Sequence, residues 1–191
     1  MKKKKISKGE FGYIRNQKKV RLLKTVLMFA CAFAIFLVGF VLNNGDKKNI
    51  YTVIACLGII PASLSLIEGI MMWMRTPMDE SLYRRISEVS GDLVMAYEMY
   101  FTTHDINLFV DAAAVANDTV AAFTHEDAKP DVIHFMEDHI QKSLRASGHR
   151  RTVKIFQNEK QFLERVSQLA GKSGPTEEDR ATRNSMLTIV L

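Results

Sequence analysis

The chain has 191 residues, of which 47% are hydrophobic and 25% charged, averages typical of a folded protein and unlike those of a disordered one. Residues 1–24 carry ten Lys and Arg against one acidic side chain, and residues 25–74 carry only four charges. Residues 75–191 carry 14 basic and 18 acidic side chains, which argues against nucleic acid as a partner. This distribution excludes a simple soluble monomer.

Two apolar segments predict a transmembrane helical hairpin. Residues 26–42 contain neither charge nor proline, and residues 50–74 are interrupted only by Pro61 and Glu68. The first segment approaches, and the second exceeds, the roughly 20 residues that a spanning helix needs. The polar residues 43–49 between them favour a tight turn outside the hydrocarbon. We therefore predict two spanning helices at 25–42 and 50–74.

The basic residues 1–24 set the expected orientation. Because Lys and Arg are retained on the cytoplasmic side, we expect both termini of this multi-pass protein in the cytoplasm of a cell with the hairpin in the plasma membrane. No small-residue cleavage site follows the first apolar segment, so we expect no signal-peptide cleavage. The basic tail is expected to meet anionic lipid headgroups. Its membrane-surface residues are Lys2, Lys3, Lys4, Lys5, Lys18, Lys19, Arg21 and Lys24.

Small residues recur at four-residue spacing in both apolar segments, a pattern that lets helix backbones approach closely. They are Ala30 and Ala34 in the first segment, and Gly58, Ala62, Ser65 and Gly69 in the second. We favour packing within the hairpin, with a homo-oligomer as the alternative. The intramembrane carboxylate of Glu68 adds a transport component as a further alternative, which requires an oligomer because two helices enclose no pore.

The polar part of the chain predicts one cytosolic α+β domain at residues 75–171. Period-two alternation indicates strands, while Pro130 and a 3.6-residue apolar stripe indicate a helix. The predicted order is α-β-β-β-α-β-α, followed by a polar linker at 172–191 in which residues 186–191 are an optional edge strand. The predicted elements lie at 79–90, 93–101, 107–116, 119–124, 130–147, 151–156 and 158–170, with a turn at His104–Asp105.

The order helix, three-strand meander, helix and strand resembles the core of the restriction-endonuclease-like, PD-(D/E)xK nucleases. In that family an acidic residue near the second strand and an E-x-K on the third hold a divalent metal. The resemblance puts Asp111 at the first acidic position, with Glu126 and Glu98 as further carboxylates. Glu126 and Lys129 are three residues apart instead of two and so do not share a face of a strand. This departure favours a degenerate, non-catalytic core.

Residues 109–115, 118–125 and 153–156 also resemble segments of small uncharacterised bacterial membrane proteins with a basic N-terminus, two spans and a cytosolic α+β domain. That resemblance implies architecture alone. His134 and His139 are five residues apart and diverge on a helix, so we predict no zinc site and no cofactor.

The leading hypothesis is a hairpin that anchors a non-catalytic binding or regulatory module, which meets an unidentified protein partner through an exposed sheet edge or through residues 172–191. A metal-dependent nuclease or phosphodiesterase, with Asp111, Glu98 and Glu126 converging on one cation, is the alternative.

Overall fold

The computed structural model describes residues 6–103, 106–172 and 174–190. Two compact units are present. One is Ile14–Pro77, and the other combines Met78–Leu191 with the residues up to Tyr13. The predicted domain at 75–171 therefore omitted both an N-terminal and a C-terminal contribution. The predicted turn at His104–Asp105 lies outside the described residues.

The first unit is a pair of helices, α1 (Tyr13–Leu42) and α2 (Ile50–Trp73). Both are long and apolar enough to span a membrane, as the sequence predicts. Asn49 caps α2, because its side chain accepts a hydrogen bond from the Thr52 backbone N–H at 3.0 Å. Helix α1 begins twelve residues before the predicted span, so much of the expected basic tail is helical.

The second unit contains a four-stranded sheet in the order β1-β2-β3-β4. The strands are β1 (Val94–Thr102), β2 (Asn107–Ala116), β3 (Thr119–Phe123) and β4 (Thr152–Phe156). The first three form an antiparallel meander, and β4 runs parallel to β3. Helix α4 (Pro130–Ala146) makes the crossover that a parallel pair requires, as predicted.

Helices cover both faces of the sheet. On one face α3 (Glu80–Ser90) and α5 (Glu159–Ala170) bury Ile86 and Phe162 against the sheet. On the other face α4 buries Met136 and Ile140. The predicted α+β class and the order α-β-β-β-α-β-α are confirmed.

The C-terminal region differs from the prediction. Instead of a polar linker with an edge strand, the structure has helix α6 (Glu177–Thr188), whose Met186 belongs to the buried core. Thr176 and Asp179 form a capping box: the Asp179 backbone N–H donates to the Thr176 hydroxyl, and the Thr176 backbone N–H donates to the Asp179 carboxylate. Among residues 186–190, which the structure describes, Val190 alone keeps a strand-like contact, an isolated bridge to Phe101. Leu191 lies outside the described residues.

Candidate functional site

A polar pair in the domain joins the buried Asp111 on β2 to His125, two residues past the end of β3. The Asp111 carboxylate is 1% exposed. The His125 backbone N–H donates to Asp111 Oδ2 at 2.9 Å, and His125 Nδ1 lies 2.8 Å from the same oxygen. The imidazole is 48% exposed, so the pair connects the interior of the sheet with its surface.

The electrostatics of this pair follow from its burial. Loss of hydration raises the pKa of the Asp111 carboxyl, and the hydrogen bonds from His125 act in the opposite direction. An acidic group that holds Nδ1 fixes the orientation of an imidazole, which is how histidines are prepared for proton transfer. The arrangement holds the His125 imidazole in one orientation just beyond the end of β3.

A backbone irregularity stands opposite Asp111. Glu98 on β1 has φ of 53°, and the pairs Tyr97↔Ala112 and Met99↔Val110 flank it. A left-handed non-glycine residue costs about 1–2 kcal/mol. The buried Glu98 carboxylate accepts a hydrogen bond from the Met78 backbone N–H at 3.2 Å, a contact that offsets part of this cost.

The irregularity reverses the alternation of side chains along both strands. Val94 and Ala96 belong to the core beneath α4 and α6, and so do Met99 and Phe101, although the strict period of two would place these pairs on opposite faces. In β1 the alternation changes face at Glu98. Backbone strain of this kind clusters at functional sites. The strained, buried Glu98 opposite Asp111 therefore makes this part of the sheet a candidate functional position.

The three predicted carboxylates do not form a cation site. Glu126 lies beyond β3, where its backbone N–H donates to Thr124 Oγ1 at 3.1 Å. In the part of the chain that the structure describes, no group of three His, Cys, Asp or Glu could hold a metal ion. The convergence of Asp111, Glu98 and Glu126 expected of a nuclease is not found there, since Asp111 is bonded to His125 instead.

The predicted membrane-surface residues fall into two groups. Lys2–Lys5 lie outside the described residues. Lys18, Lys19, Arg21 and Lys24 belong to α1 itself. Lys18 Nζ lies 5.7 Å from the centroid of the Trp73 ring, and Lys24 Nζ lies 4.0 Å from Glu68 Oε2. Glu68 therefore has a cationic neighbour within the hairpin.

Some of the predicted packing residues lie in the contact between α1 and α2, and others are exposed. Ala30 and Ala34 are exposed, so they do not form the helix contact. On α1 the buried positions include Thr25, Ala32 and Gly39, seven residues apart, a spacing typical of a coiled-coil seam. On α2, Ala62 and Ser65 are buried, while Gly58 and Gly69 are partly exposed beside α1. The Thr25 hydroxyl donates to the Ser65 backbone O at 3.0 Å.

Both outer edges of the sheet are engaged, which corrects the prediction of an exposed edge. On β1 the Tyr97 backbone N–H donates to the Gly9 O at 3.0 Å, and Arg183 Nε donates to the Met95 O at 2.7 Å. On β4 the Ile155 backbone N–H donates to Glu137 Oε1 on α4 at 2.8 Å. Side chains and a non-strand segment thus occupy backbone groups that a partner strand would need.

Sequence reasoning missed a cationic cavity of about 410 Å³ at the start of β4. Its lining residues are Asp118, Arg145, Arg150, Arg151 and Thr152. The available signal was three arginines within seven residues around Gly148. The cavity forms only because the turn between β2 and β3 is brought beside the end of α4.

Comparison of the chain with protein-family models, with curated proteins and with solved structures finds no match.

Proposed function

We propose that this protein is an integral membrane protein in which the α1–α2 hairpin anchors a non-catalytic binding or regulatory domain at the cytoplasmic face of the plasma membrane. The observation that carries the proposal is the contact of the segment before α1 with the domain after α2. The Gly9 backbone O accepts hydrogen bonds from Tyr97 N at 3.0 Å and from Arg183 Nη2 at 3.2 Å. The Phe11 ring stacks on Tyr83 with centroids 4.0 Å apart.

These contacts support a common side for the two ends of the hairpin. Residues 6–13 and Met78–Leu191 belong to one compact unit although the two apolar helices separate them in the chain. A segment cannot pack on a domain across the bilayer, so the loop between α1 and α2 faces the opposite side. The excess of Lys and Arg before the first span favours the cytoplasm for the domain.

Cysteine labelling tests this topology. In a chain with Cys31→Ala and Cys56→Ala, single cysteines are placed at Ser7, at Lys47 in the loop, or at Lys142 on α4. We expect a membrane-impermeant maleimide to label Lys47→Cys in intact cells and to label the other two variants only after permeabilisation. Labelling of Ser7→Cys and Lys142→Cys from opposite sides would overturn the proposal.

The non-catalytic part of the proposal has its own test. Full-length protein in detergent is incubated with phosphodiester substrates and Mg²⁺ or Mn²⁺, and compared with the Asp111→Asn variant. We expect no hydrolysis above the buffer rate from either protein, because Asp111 is bonded to His125. Metal-dependent hydrolysis that Asp111→Asn abolishes would replace the binding module by a phosphodiesterase.

A further inference from the structure

We propose that the cavity at the start of β4, here called the arginine cavity, binds a small phosphate ester that carries a neighbouring hydroxyl group. The arginine cavity is defined by its lining residues Asp118, Arg145, Arg150, Arg151 and Thr152. The inference rests on the proposed function in one respect, that the domain is a binding module, and it names the ligand class of that module.

The fold builds the cavity from three elements. Helix α4 supplies Arg145 in its last turn, and Gly148, with φ of 87°, turns the chain toward β4. The Thr152 backbone N–H then donates to the Asp118 backbone O at 2.7 Å. This bond fixes the turn between β2 and β3 to the first residue of β4, so the walls of the cavity are held in place before a ligand enters.

The cavity has an excess of positive charge at its rim. Arg145 and Arg150 are exposed, and no ion pair joins either of them to another described residue. Arg151 is 4% exposed and is neutralised by Asp179 and Glu178, at 3.2 and 3.3 Å. The excess over the Asp118 carboxylate therefore comes from the two exposed guanidinium groups.

Arg151 contributes a donor instead of a net charge. Its Nε is buried and has no hydrogen-bond partner within the described residues. A buried donor left unpaired is costly, and native proteins satisfy most of them. Arg151 therefore adds to the cavity wall a guanidinium group whose hydrogen bonding within the described residues is incomplete.

The chemistry of these side chains selects the ligand class. Guanidinium groups present paired donors that match the oxygens of a phosphate. The Asp118 carboxylate repels a second anionic group but accepts from a hydroxyl. A volume of about 410 Å³ lies within the range of small-molecule sites, about 300–1,000 Å³. A phosphate ester of a polyhydroxyl compound offers phosphate oxygens to the arginines and a hydroxyl group to the Asp118 carboxylate. Inorganic phosphate offers a ligand only to the arginines.

The test uses the full chain in nanodiscs of zwitterionic lipid, with calorimetry as the readout. The probes are ribose 5-phosphate, ribose and inorganic phosphate. We expect ribose 5-phosphate to bind more tightly than inorganic phosphate and ribose to show no binding. Arg150→Gln and Arg145→Gln should each weaken ribose 5-phosphate binding by about tenfold or more. Lys142→Gln is the matched control, since it removes the same charge from α4 outside the cavity, and it should leave binding unchanged.

The same ligand chemistry could be a lipid headgroup, and a second arm separates the two sources. Nanodiscs that contain a phosphoinositide are compared with zwitterionic ones. If the phosphoinositide weakens ribose 5-phosphate binding in the parent chain, the headgroup occupies the arginine cavity; if affinity is unchanged, the ligand is a free phosphate ester.

The inference is overturned if ribose 5-phosphate fails to bind at millimolar concentration, or if Lys142→Gln weakens binding as much as Arg150→Gln does. The cysteine-labelling experiment does not depend on these variants. If ribose 5-phosphate does not bind, the proposed membrane topology is therefore unaffected.

Discussion

We predict that the buried pair of Arg151 and Asp179 contributes strongly to the free energy of unfolding of the domain. Arg151 is the first residue before β4 and Asp179 lies in the first turn of α6, so the pair joins the crossover strand to the C-terminal helix. Both are almost fully buried, at 4% and 2% exposed. We expect Arg151→Met to destabilise the domain, because it leaves the Asp179 carboxylate buried without its cation.

The magnitude follows from the surroundings of Asp179. Removing one partner of a buried pair costs about 3–5 kcal/mol. The contact of 3.2 Å lacks hydrogen-bond geometry at Asp179 Oδ1, while Oδ2 accepts hydrogen bonds from the Thr176 backbone N–H and hydroxyl at 3.0 and 2.7 Å. These remaining bonds keep part of the charge satisfied. We therefore expect a loss of about 3 kcal/mol, the lower end of that range.

The assay is pulse proteolysis of the full chain in detergent across a urea series, with Arg180→Met as the control. Arg180 pairs with Glu177 at 3.0 Å, but both side chains are largely exposed, so this substitution should cost at most about 0.5 kcal/mol. The double variant Arg151→Met/Asp179→Asn should recover part of the loss, since no unpaired charge remains buried. Equal costs for Arg151→Met and Arg180→Met would refute the reasoning.

Three further predictions concern the hairpin and the titratable groups of the sheet. Ala62 is fully buried and Ala34 exposed, so Ala62→Leu should destabilise the hairpin by about 1–3 kcal/mol and Ala34→Leu should not, as measured by thermal unfolding through Trp73 fluorescence. Because burial raises the pKa of Asp111 above 3.8, the folded chain keeps that proton where the unfolded chain has lost it. Its contribution to the free energy of unfolding should fall as pH rises through that window, and Asp111→Asn should remove this slope; identical slopes in the two proteins would contradict it. Burial also raises the pKa of Tyr97 to about 12, so Tyr97→Phe should remove a component of the phenol absorbance titration near that pH.

Local patterns were sufficient for most of the domain. Alternation along β1 and the Pro at the start of α4 are signals within one element, and both elements form where the sequence predicts them. Helix α6 also had a local signal, the capping box of Thr176 and Asp179. The sequence predicts a polar linker at residues 172–191 with an optional edge strand at 186–191, and the structure places this helix there instead.

The candidate site depended on information that no local pattern contains. Asp111 meets His125 only because Ala112 pairs with Phe123, which brings the middle of β2 beside the end of β3. The helix contact in the hairpin also differed from the prediction. Four-residue spacing selected Ala30 and Ala34, whereas the buried residues Thr25, Ala32 and Gly39 of α1 follow one another at intervals of seven.

The contacts made at both sheet edges restrict how a partner strand could bind. A strand added beside β1 must displace Gly9, whose backbone O accepts hydrogen bonds from Tyr97 and from Arg183, each worth about 0.5–1.5 kcal/mol net. Gly9 precedes the first helix by only four residues, since α1 begins at Tyr13. Strand addition at this edge would therefore compete with the contacts that hold the segment before α1 on the domain.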